Sequence, residues 1–156
     1  MKRLLRNALR TAVAMTVATV VALYAAGCAT PVVTEAGYRH KVTSTAKEIS
    51  SAIASAQLGV RLHLDGRMAF AWTDQTVSDA ELDADSAASA FASRQPPNNT
   101  ALHLYQQAEK PIQDGVDALR SMRIAVRRGG MDEVKQALSN LDGPSRELSD
   151  LQKAMG

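Results

Sequence analysis

Four stretches of the chain repeat apolar side chains at three- and four-residue spacing, and glycine- or proline-rich breaks separate most of them. The first reads Val42, Ala46, Ile49, Ile53, Ala56, Val60, Leu64, Met68 and Ala71, one face of a helix. It predicts a helix over about 43–73, capped by Thr43 or Ser44, with Glu48 near its positive end. Leu58 and Leu62 fall on nearly the opposite face, so this helix either lies at the centre of its bundle or supplies an oligomer contact; central placement is the expectation. The second stretch opens on Ser78-Asp79-Ala80-Glu81, a cap followed by early acids, and predicts a slim alanine-rich helix over 78–93. Gln95-Pro96-Pro97-Asn98-Asn99 stops it.

The third stretch, 100–128, carries the strongest period. Tyr105, Ile112, Leu119 and Val126 recur every seven residues, with Ala101, Ala108, Gly115 and Met122 beside them. The pattern passes through Pro111, which predicts one kinked helix lacking a backbone bond, ended by Gly129-Gly130. The fourth begins near Met131-Asp132 and repeats at Val134, Leu141, Leu148 and Met155. Asp142-Gly143-Pro144 interrupts it without breaking the phase, so a bent or two-piece helix is expected. No segment reads as a strand. The prediction is an all-α, up-down four-helix bundle over 43–156.

The segment ahead of the bundle has a different character. Lys2, Arg3, Arg6 and Arg10 make a basic start, and no charge follows from Thr11 to Gly27, which is the pattern of a signal peptide. The run Leu23-Tyr24-Ala25-Ala26-Gly27-Cys28 then brings small residues up to the single cysteine and looks like a lipobox. That pattern carries a diacylglyceryl group on the Cys28 sulfur and a cut at Gly27–Cys28, and two acyl chains anchor stably where one is marginal. The alternative is an uncleaved span, since about 20 apolar residues cross a bilayer. Alanine and threonine make this run only mildly hydrophobic, however, and Gly27 and Pro31 interrupt it. Residues 1–27 are thus read as a lipoprotein signal peptide and 28–42 as the lipidated terminus and a flexible tether. Either alternative puts the rest of the chain outside the cytoplasm.

This reading changes the meaning of the charge. The net charge is +2 over 156 residues, but four basic residues and no acid lie in the segment to be removed. The mature chain keeps 14 of the 18 basic residues against 16 acidic ones, about −2, so the basic balance gives no reason to expect nucleic acid. One cysteine allows no internal disulfide, and lipidation accounts for an odd thiol in an exported protein.

Little else carries chemistry. The acids Asp79, Glu81, Asp83 and Asp85 suggest a calcium loop, but an EF-hand counted from Asp79 needs glycine at 84 and glutamate at 90. Ala84 and Ala90 stand there. His40, His63 and His103 have no ligand spacing, and no nucleophile motif or phosphate loop occurs; no metal, cofactor or catalytic group is expected. Arg120, Arg123, Arg127 and Arg128 cluster at the end of the third helix. They either pair with neighbouring acids at the negative helix end or form a partner-binding site for an anionic group. A symmetric hairpin about Pro96–Pro97 would bring Arg120 level with Trp72 to Asp74. Trp72, the only tryptophan, is expected to pack at the end of its helix.

The stretches Asp65-Gly66-Arg67, Val77-Ser78-Asp79-Ala80-Glu81 with Asp83-Ala84, Gln95-Pro96-Pro97 and Arg123-Ile124-Ala125-Val126-Arg127-Arg128-Gly129 resemble a set of small actinobacterial lipoproteins. The resemblance covers about residues 43–141. It implies a helical lipoprotein of the cell envelope and supplies no activity. The expected role is that of a non-enzymatic interaction module, held to the membrane through Cys28, that meets an envelope protein or polymer. The alternative is a carrier holding a small hydrophobic ligand between helices.

Overall fold

The computed structural model describes residues 34–155. Cys28 and the residues read above as a signal segment lie outside the described residues. Five helices follow one another: α1 Glu35–Leu64, α2 Phe70–Ala92, α3 Asn99–Arg128, α4 Met131–Asn140 and α5 Asp142–Met155. The last two form one arm bent at Leu141, and Pro144 sits in the first turn of α5, where its missing N–H costs nothing. The result is the expected all-α bundle of four arms, with no strand among the described residues.

Helix α1 starts eight residues before the expected position. Thr34 caps it, its hydroxyl accepting from the Gly37 amide at 3.1 Å, and Glu35 favours the positive end. Tyr38 is fully buried, its ring 6.1 Å from that of Phe91, and its hydroxyl donates to the Arg94 carbonyl at 3.5 Å. Tyr38 thus extends the Val42–Ala46–Ile49 stripe by one turn, and residues 35–41 belong to the bundle rather than to the tether.

Helix α1 also ends early, at Leu64 rather than Thr73. Gly66 takes φ 69°, a left-handed conformation nearly free of cost only for glycine. The amides of Asp65, Gly66 and Arg67 then donate to the carbonyls of Arg61, His63 and Leu62, satisfying the helix end. Helix α2 begins at Phe70, so Ser78 lies in its interior instead of capping it. Leu64, Met68 and Ala71 continue the helical phase in sequence across a real turn.

α1 and α3 form the inner pair. α1 packs on α2, α3 and α5, and α3 on α1, α2, α4 and α5, while α2 and the fourth arm make no contact with each other. The inner helices approach closely at Gly115, where a Cβ would meet Ile49 Cγ2 at 2.9 Å and Leu148 Cδ1 at 3.3 Å. Around this point the heptad residues Ile112, Leu119, Met122, Val126, Val134, Leu141 and Leu148 are all buried. α3 runs unbroken through Pro111 and closes at Gly129.

At the end of the bundle where α1 begins, rings from three helices meet, Phe91 stacked on Tyr105 and tilted against Tyr38. Burial, with Tyr105 close by, raises the Tyr38 pKa above its ordinary 10.0. The folded state therefore holds the phenolic proton more tightly than the unfolded chain. Its contribution is complete below the unfolded value and is lost as pH rises through the folded one. Tyr38→Phe is expected to lose less Tm than the wild type between about pH 8 and about pH 11. Thermal melts at the two pH values check this.

Candidate interaction surface

Two outward faces of α2 carry acids, and they are treated differently. On the face toward α3, Asp74, Ser78, Glu81 and Asp85 follow one another at helical spacing and meet a matching arginine stripe. Arg123 grips both Glu81 oxygens, with its Nη2 at 3.1 Å from Oε1. Arg120 donates to Asp117 at 2.6 Å and lies 3.7 Å from Glu81 and 3.8 Å from Asp85. Arg127 donates to Asp74 at 2.7 Å and to the Ser78 hydroxyl at 3.1 Å.

The hydrogen bond to Glu81 raises the Arg123 pKa further, so this guanidinium stays charged. Four carboxylates surround three guanidiniums, and no positive charge is left over for an outside anion. Arg120, Arg123 and Arg127 therefore form a clasp between α2 and α3. Arg128 stands apart, exposed and with no ion pair among the described residues. Each exposed pair in such a clasp contributes at most about 1 kcal/mol.

The register differs from that of a symmetric hairpin. Arg120 faces Glu81 and Asp85 rather than Trp72 to Asp74, a shift of about two turns. Ser93 to Asn98 forms no helix, and the residues at and before its two prolines favour extended backbone. Asn98 then caps α3 by accepting from the Ala101 amide at 2.9 Å. The cleft along the clasp is about 340 Å³ and lined by charged groups with Ser78 and Leu82. A hydrophobic molecule would find little to bind there.

The second face lies over the α1–α2 pair. On α1, Ser51, Ser55, Leu58 and Leu62 share a stripe; on α2, Trp72, Thr76, Asp79, Asp83, Ser86 and Ala90 share another. An open trough of about 690 Å³ runs between them, and only small or acidic side chains line it. Gly59 lies against Thr76, 3.1 Å from a Cβ position to Thr76 Cγ2, so Leu62 comes level with Trp72 one turn further out. Trp72 is 70% exposed and Leu58 60%. The expectation of a packed Trp72 does not hold.

The sequence pattern hid this face. With the first helix read through to Thr73, Trp72 belonged to the wrong element, and its stripe with Thr76 and Asp79 could not be seen. Leu58 and Leu62 did stand out, as a second apolar side of α1. Leu62 is half-buried and Leu58 open to solvent, while α1 takes the central place expected of it.

The histidines take ordinary positions. His63 Nδ1 lies 3.0 Å from the Met68 carbonyl oxygen and so donates to it, and its ring meets the edge of Phe70 at 6.3 Å. It fastens the α1–α2 turn. His40 and His103 are exposed. Among the described residues no three His, Cys, Asp or Glu side chains gather as a metal-ligand set, and no helix is long and apolar enough to cross a membrane. No family model, curated protein or solved structure matches this chain.

Proposed function

We propose that this chain is a non-enzymatic interaction module of the cell envelope, anchored by lipid at Cys28 on the extracytoplasmic face and meeting its partner through the α1–α2 face. The observation that carries the reading is the solvent exposure of both Trp72 and Leu58 on the α1–α2 face. Large apolar side chains left in water at one end of a bundle, next to an open trough, are what a protein contact covers. The lipobox-like run and the lone cysteine support the anchor.

On this reading, chain connectivity orients the module. Only five residues separate Cys28 from Thr34, a reach of about 20 Å at most. α1 has 30 residues and is about 45 Å long, so Leu62 and Trp72 stand at the end away from the anchor. An α1–α2 face displayed there meets a partner in the envelope rather than the protein's own membrane.

Native mass spectrometry of the protein, extracted from its own membranes in mild detergent, tests the reading. The expected result is a chain beginning at diacylglyceryl-modified Cys28 with a second protein bound. A chain that keeps residues 1–27, or one carrying only a small bound molecule, would overturn it.

A further inference from the structure

We propose that the trough on the α1–α2 face docks a basic amphipathic helix of a partner protein, an inference that rests on the interaction-module reading and specifies its partner. Charge supplies the first argument. Glu48 from α1 and Asp79 and Asp83 from α2 line the trough, and no lysine or arginine does. Glu48 accepts only from Ser44 at 2.9 Å and Asp79 only from Gln75 at 2.7 Å. None of the three carboxylates has a cation among the described residues, whereas the acids on the other face of α2 are all met by arginine. The same helix thus carries one neutralised acid stripe and one left open. A partner with lysine or arginine along the edges of its apolar stripe completes the second as Arg120, Arg123 and Arg127 complete the first.

Shape supplies the second argument. Ser51, Ala52, Ser55, Ala80 and Ala87 keep the centre of the trough low, and small side chains let helices approach closely. From Trp72 to Ala90 the α2 stripe is about 27 Å long, the length of a helix of about 18 residues. Leu58 and Trp72 stand at its distal end, where a bulky apolar residue of the partner would cover them. This is the helix-in-groove mode, with apolar anchors at helical spacing.

Trp72 is the only tryptophan and stands one turn beyond Thr76, which lines the trough, so its fluorescence reports a helix that lies along the trough and covers its end. The full chain in detergent micelles is titrated with two synthetic tryptophan-free helical peptides of about 18 residues. They share one alanine–leucine face and carry either lysine or glutamate along its edges. The lysine peptide is expected to shift Trp72 emission to the blue and to saturate. The glutamate peptide is expected to bind at least roughly tenfold more weakly. Ser55→Arg, an exposed change that obstructs the trough and offsets one of its three negative charges, is expected to weaken the lysine peptide at least roughly tenfold, and Gln107→Arg, exposed on α3 and outside the trough, to leave it unchanged.

No shift with the lysine peptide, equal binding of both peptides, or binding indifferent to Ser55→Arg would overturn the proposal. A shift with anionic lipid vesicles and not with the lysine peptide would assign the face to a lipid surface, and would overturn it too. If the lysine peptide fails while a native protein still co-purifies and is released by Ser55→Arg, the interaction module stands and the basic helix falls. Failure of both would remove the module as well.

Discussion

Phe91→Ala is expected to destabilise the bundle by about 3–5 kcal/mol, with the protein still folded but melting far earlier. Four of the six buried positions of α2 are small, Thr73, Ala80, Ala84 and Ala87, and Val77 is of moderate size. Phe91 therefore supplies most of the apolar volume that this helix brings to the core. Its ring is 2% exposed and lies 5.4 Å from that of Tyr105, nearly parallel, and 6.1 Å from that of Tyr38. Truncation removes both aromatic contacts, each contributing about 0.5–1.5 kcal/mol beyond area, and leaves a cavity where three helices meet. A domain of this size has about 5–15 kcal/mol in all. Leu82→Ala on the same helix removes a side chain that is 64% exposed and is expected to change stability by less than about 0.5 kcal/mol. Urea titrations of the two variants measure the contrast.

Gly115→Val is expected to cost about 2–3 kcal/mol, although valine is the better helix former by a few tenths. A Cβ alone would come within 2.9 Å of Ile49 Cγ2, and that methyl is fixed by a branched, fully buried side chain that cannot swing away. Valine adds two more methyls against Ile53 and Leu148, so α3 must move off α1. Ile49→Ala removes the methyl in question. Alone it is expected to cost about 2–5 kcal/mol, yet the double variant Ile49→Ala with Gly115→Val should lose about 1 kcal/mol less than the two losses added. Simple additivity in chemical denaturation would show that the close approach of α1 to α3 is not what excludes a side chain at 115.

Most of the fold was legible because its core is periodic. The heptad residues of α3 and the fourth arm can face only one way, and the bend at Leu141 was visible through Asp142-Gly143-Pro144, an interruption that kept phase. The errors fell where periodicity carries no information. Leu64, Met68 and Ala71 continue the phase of α1, and only the left-handed Gly66 shows that the helix has stopped. Tyr38 looked like part of a tether because Pro31 and Gly37 precede it, although it stands one turn before Val42 on the same face.

The candidate surface was legible only in part, for a related reason. Leu58 and Leu62 were visible as a second apolar side of α1, but a trough needs two helices in known register. Register depended on the α1–α2 turn, which lies at residues 65–69 and which the pattern places after Thr73. The arginine stripe was visible at once, and so were the acids that neutralise it. Their pairing needed the extended path of Ser93 to Asn98. The proposed lipid anchor rests on Cys28 and the run before it, residues whose chemistry is read from the sequence alone.

The central claim is that a partner meets the α1–α2 face and not the arginine stripe. A photoreactive amino acid placed at position 58, and separately at position 120, in the full chain in its own cells tests this most directly. The account predicts a discrete protein cross-linked from position 58, none from position 120, and loss of the product with Ser55→Arg. A product from position 120 that survives Ser55→Arg, with none from position 58, would contradict it.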